Sequence, residues 1–150
     1  MTPYKLTDES IQFNDKPLYR IELTEDCKWG KAGTKGGFIE TINNLTENAW
    51  VSGNAQVFGD AKVSGNAHVS GNALVYGNAK VEKTSDYMTI SSLGEISRII
   101  TITFSNKMIS AGCFRGTLEE LKAAVDKKYQ GRGNYYPTIQ YIEALFNSIN

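Results

Sequence analysis

From Leu45 to Val81 the chain repeats every six residues: L-T-E-N-A-W, V-S-G-N-A-Q, V-F-G-D-A-K, V-S-G-N-A-H, V-S-G-N-A-L, V-Y-G-N-A-K, then valine again. Five consecutive hexads keep glycine, alanine and valine in step without a break. A period that short dictates the fold before any other feature is considered. In each A-x-V triplet the alanine and valine fall two apart, so an extended backbone points both to one side. The Gly-Asn that follows, Gly-Asp once at Gly59-Asp60, supplies the positive φ that a corner needs. Strand and corner alternate every hexad, so the chain must wind. A helix is excluded, because valine, glycine and asparagine disfavour it and six fits neither 3.6 nor 7.

The tandem V-x-G-N-A-x pattern resembles the hexapeptide-repeat left-handed parallel β-helix, a triangular prism with three hexads per coil. That resemblance implies that residues 18 apart stack, placing Leu45 below Val63 and Val81, Val51 below Val69, and Val57 below Val75. Each fully buried valine then contributes about 1.5–3 kcal/mol. Only about two coils fit between Leu45 and Val81, and short stacks need protected ends. The flanks are therefore expected to act as caps. The expected fold is mainly β: an N-terminal strand and loop cap over 1–44, the short coil over 45–82, and a small α+β module over 83–150.

The first flank reads as a half-buried strand, Pro17–Leu23, with Tyr19, Ile21 and Leu23 inside. Lys31–Glu40 reads as glycine turns followed by a short apolar strand. Its G-T-K-G-G lacks Walker spacing and no helix follows, so a structural turn explains it better than a phosphate cradle. In the second flank, Met88, Ile90 and Ser92 alternate with Thr89 and Ser91. Arg98–Phe104 puts Ile100, Ile102 and Phe104 on one face, and Met108–Phe114 is a third strand. Thr117 and Glu120 form a capping box for a helix running to about Tyr129, with Leu118, Leu121 and Val125 inward. Gly131-Arg132-Gly133 breaks it. Pro137 then suits the first turn of a last helix striped by Ile139, Ile142, Phe146 and Ile149.

Composition narrows function. Lys plus Arg and Asp plus Glu are each 16 in 150 residues. That balance argues against DNA binding by bulk charge and against a polybasic membrane anchor. No apolar run has transmembrane length, and Met1–Asp8 lacks a signal core, so a cytoplasmic protein is expected. Cys27 and Cys113 make neither a disulfide framework nor a metal spacing. No metal or cofactor is expected. His68 is the single histidine, which removes every mechanism that needs two.

With the 18-residue stacking, one outer face carries Trp50, Ser52, His68 and Ser70, and a second carries Gln56, Phe58, Leu74 and Tyr76. The third, Lys62, Ser64, Lys80 and Glu82, is solvated. Phe58, Leu74 and Tyr76 form an apolar patch that calls for cover by the C-terminal module, a second copy or a foreign partner. Trp50 and His68 extend this candidate binding surface. Hexapeptide β-helices are best known as trimeric acyltransferases with a histidine base, and His68 occupies an outward slot. Two coils leave little wall for an acyl-carrier cleft, so a minimal acyltransferase is the alternative reading. Cys113 beside a helix start could be a thiolate nucleophile, but its apolar neighbours point to a buried thiol. Cys27 carries less still. Glu119-Glu120 is explained by the cap, Glu25-Asp26 by a solvated turn, and Lys127-Lys128 by the helix dipole.

Three motifs in order, A-G-T-K-G-G-F-I-E (Ala32–Glu40), N-L-T-E-N-A-W-V (Asn44–Val51) and G-C-F-R-G-T-L-E-E-L (Gly112–Leu121), resemble a group of phage and prophage hexapeptide-repeat proteins over roughly 17–130. The resemblance implies a product working in the cytoplasm of a bacterial host. The expected function is a non-enzymatic, homo-oligomeric (dimeric or trimeric) binding protein. It would inhibit a bacterial defence system, anti-CRISPR-like by occupying a protein complex, or by sequestering a small nucleotide signal. A virion-associated structural role is the third class.

Overall fold

The computed structural model describes residues 1–91, 99–112, 114–131 and 135–149. The chain is mainly β with two C-terminal helices, its larger sheets are mixed or antiparallel and two small two-stranded ones are parallel, and it divides into two compact units, Met1–Asp86 and Tyr87–Asn150.

The first unit begins with an element for which the sequence analysis has no counterpart. Strand β1 (Tyr4–Phe13) pairs antiparallel with β2 (Lys16–Leu23). Asn14 and Asp15 join them with φ of 47° and 66°, the left-handed pair that a tight hairpin turn needs. Strand β3 (Lys35–Ile39) lies antiparallel to β2. Leu18 is buried, although alternation puts it outside. The other face of β2 is covered too, since the Arg20 guanidinium on that side lies 4.2 Å over the Phe38 ring.

Six two-residue strands follow: β4 (Trp50–Val51), β5 (Gln56–Val57), β6 (Lys62–Val63), β7 (His68–Val69), β8 (Leu74–Val75) and β9 (Lys80–Val81). Each of the first three pairs in parallel with the strand three further on, setting Trp50 opposite His68, Gln56 opposite Leu74, and Lys62 opposite Lys80. Leu45 bridges Val63 in the same sense. The chain therefore returns to itself every 18 residues, in the register that the stacked valines require. All six valines from Val51 to Val81 are buried, together with the alanines two before each. At the corners successive turns touch through backbone: a Cβ on Gly53, whose φ is 64°, would sit 3.0 Å from the Gly71 carbonyl. Strand β3 pairs in parallel with β5, Phe38 opposite Gln56, which gives a five-stranded sheet in the order β1-β2-β3-β5-β8.

The second unit is an antiparallel sheet of β10 (Tyr87–Ile90), β11 (Ile100–Thr103), β12 (Met108–Ala111) and β13 (Phe114–Gly116), followed by α1 (Leu118–Tyr129) and α2 (Tyr135–Ser148). The single strand expected over Met108–Phe114 is thus two. Gly112, at φ 61°, reverses the chain so that Ala111 pairs with Phe114. Ile102, Ile109, Leu121, Val125, Ile139, Ile142 and Phe146 build the core, which bears out the two helical stripes with one exception. Ile149 lies beyond the last helical residue and is 48% exposed. Phe104 falls just past β11 and meets Phe146 edge to face at 6.3 Å. Ser92, Arg98, Cys113 and the Arg132-Gly133 break lie outside the described residues.

Candidate functional site

The apolar face of the coil is sealed from within the chain. Phe58 and Tyr76 stack with ring centroids 5.9 Å apart, and Phe13, at the end of β1, lies 4.4 Å from Phe58. Phe58 is 9% and Tyr76 8% exposed, and Leu74 is half-buried. Phe58 and Tyr76 are thus buried and not the accessible patch that the outward slots imply, and the β1–β2 hairpin, which has no counterpart in the repeat, brings a third ring onto Phe58.

Glycine explains how the first unit closes. Gly37-Phe38-Ile39 occupies the A-x-V slot beneath Ala55-Gln56-Val57, with glycine where the coil has alanine. A Cβ on Gly36 would lie 2.5 Å from the Val51 carbonyl and 2.6 Å from the Trp50 ring, and one on Gly37 2.6 Å from the Ala55 carbonyl. The glycine pair is a close approach of β3 to the coil and not an anion cradle. It leaves Trp50 only 2% exposed. Arg20 locks the same layer, donating to the Gly36 carbonyl and to Glu9 at 2.6 Å each.

Asn44 ties the cap to the coil in a way that sequence reasoning did not single out. Its Nδ2 donates to the Gly59 and Ala61 carbonyls at 3.1 and 2.9 Å, while its Oδ1 accepts from the Glu40 and Thr41 amides. The only prior sign was its place in the N-L-T-E-N motif. Tyr4 does similar work, its hydroxyl donating to the Leu45 carbonyl at 2.7 Å. Burial pushes its pKa up to about 12.

His68 sits among packed neighbours. Its Nε2 is 2.8 Å from the Ser52 hydroxyl, the Trp29 ring lies 4.9 Å from its own, and its backbone amide donates to the Thr84 hydroxyl. Trp29 is itself anchored through Nε1 to the Asn48 carbonyl at 2.8 Å, and Lys28 lies 4.7 Å over its ring. Desolvation lowers the His68 pKa, favouring neutral imidazole. A hydroxyl against a neutral imidazole has the reach of a nucleophile and its base. A base acting on a substrate, however, needs the nitrogen that Ser52 fills.

The remaining residues fall where simple chemistry puts them. Lys62, Lys80 and Glu82 are exposed. Cys27 exchanges backbone hydrogen bonds with Gly30 in a turn. Glu120 accepts from the Thr117 amide at 2.9 Å, which holds its carboxyl below the usual range. Among the described residues no three His, Cys, Asp or Glu side chains gather as a metal site. No helix among them is long and apolar enough to cross a membrane. No family model matches the chain, and no curated protein matches it.

In the second unit an open apolar groove of about 80 Å³ runs beside α1, floored by Leu121 and Val125 and walled by Phe114, Tyr129 and Tyr135. It belongs to none of the residues that the sequence pointed to as a surface.

Proposed function

We propose that this chain is a non-enzymatic binding protein of the phage and prophage hexapeptide-repeat kind, with Leu45–Val81 wound as a short left-handed β-helix. Its role is to inhibit a bacterial defence system by occupying a host protein complex. The observation that carries the non-enzymatic part is the packing around His68, whose ring is half-buried with the Trp29 ring tilted against it at 4.9 Å. The 18-residue register and the buried valines favour the coil as a rigid scaffold. The Phe13 ring tilted against Phe58 at 4.4 Å argues against a second copy seated on that face. Light scattering on the full chain reads the oligomeric state directly. The functional test is plaquing efficiency on hosts carrying a panel of defence systems, with and without expression of the chain. Restored plaquing against one system is expected, and unchanged plaquing across the panel overturns the role.

The Ser52–His68 contact of 2.8 Å favours a second reading, acyl transfer. It requires Ser52→Ala and His68→Gln each to abolish turnover of an acyl donor with the fold intact. Packing predicts no turnover in any of the three proteins.

A further inference from the structure

The groove beside α1 combines three properties. Its floor is buried aliphatic carbon, Leu121 and Val125, and its aromatic walls include Tyr129 and Tyr135 with ring centroids 5.5 Å apart. Its volume of about 80 Å³ is roughly half that of a cavity that holds benzene. That volume suits one branched aliphatic tip. Its rim carries Lys128, which is exposed, lies 5.4 Å from the Tyr129 ring, and meets no carboxylate among the described residues. Lys127 stands beside it, and residues 87–150 hold seven basic against five acidic side chains.

We infer that this groove seats a leucine-sized side chain of a protein partner, with a carboxylate adjacent to that side chain paired to Lys128. Apolar surface leaving water drives the seating, and the cation selects what stands beside it. A pocket this small holds one anchor residue, in keeping with the way interfaces concentrate their energy. The inference rests on the binding reading above, and it names the surface and the chemistry of the partner.

N-acetyl-leucine is the minimal probe, an isobutyl side chain next to a free carboxylate. Titrated into the full chain labelled with nitrogen-15, it is expected to give saturable shifts at the amides of Leu121, Ala124, Val125 and Tyr129. The uncharged N-acetyl-leucine amide, and separately Lys128→Glu, should each weaken binding by about two- to fivefold, the range of an exposed ion pair. Ala124 is an exposed lining residue, so Ala124→Phe fills the mouth without touching the core; it should abolish the shifts and leave the unfolding midpoint near wild type. Absence of saturable shifts, shifts centred elsewhere, or indifference to both charge changes overturns the inference. If Ala124→Phe still restores plaquing as wild type does, the binding reading stands and this groove is not its surface.

Discussion

Asn44 is 1% exposed and uses both its amide hydrogens and its carbonyl oxygen on backbone groups of the cap and the coil. A buried donor or acceptor left without a partner costs about 1–3 kcal/mol. Asn44→Ala orphans the Gly59 and Ala61 carbonyls and the Thr41 amide, some of which water can reach, while the Glu40 amide keeps its bond to the Val57 carbonyl. We expect a loss of about 3 kcal/mol in denaturant unfolding, with Asn44→Asp no better, because a carboxylate cannot donate to either carbonyl. A loss below half a kcal/mol would show that the clasp is idle. Tyr4 adds a pH signature. Its folded pKa of about 12 exceeds the ordinary 10.0, so the protonated hydroxyl contributes stability that is complete below pH 10 and is lost as pH rises through about 12. Tyr4→Phe should lower stability at neutral pH and flatten the alkaline decline of the first unit, as followed by circular dichroism. An alkaline limb unchanged by the substitution would contradict the assignment.

At the scale of elements, the coil could be read from sequence because its period is short and unbroken. Once three hexads make a turn, the pairing of Val51 with Val69 and Val57 with Val75 has no freedom left. The capping box of α1 was equally legible, since Thr117 and Glu120 act within one turn of chain. Strand β1 was not. Its register slips between Leu6 and Ser10, and the exposed Asp8 and Glu9 interrupt any alternation there. The outward slots of Phe58 and Tyr76 follow from the repeat, but the ring that covers them lies 45 residues away from Phe58 with no local signal. Phe13→Ala tests that cover. It removes an aromatic contact worth about 0.5–1.5 kcal/mol beyond its area and opens Phe58 to solvent. Increased binding of a hydrophobic dye is expected, with the coil still formed, and unchanged dye binding would mean that Phe13 is not the lid.

At the scale of the whole chain, each unit has its own core. The valine and alanine ladder closes the first, and the cluster around Ile102, Ile109 and Ile142 closes the second. Stability in such a chain is not one number, because amides open in cooperative groups that follow cores. The coil amides bond to carbonyls 17 residues ahead, as Trp50 does to Ala67 and Gln56 to Ala73, so losing one valine weakens a turn and its neighbours together. Val63 touches this logic twice, bridging Leu45 and pairing with Val81. Val63→Ala should therefore cost about 2 kcal/mol or more, read by hydrogen exchange as faster exchange at Thr46, Ser52, Gln56, Lys62 and Ser64. The amides of β11 and β12 should keep their wild-type rates, since their protection comes from a different core. Equal acceleration in both groups would mean that the two units unfold as one, and that the coil is not an independent scaffold.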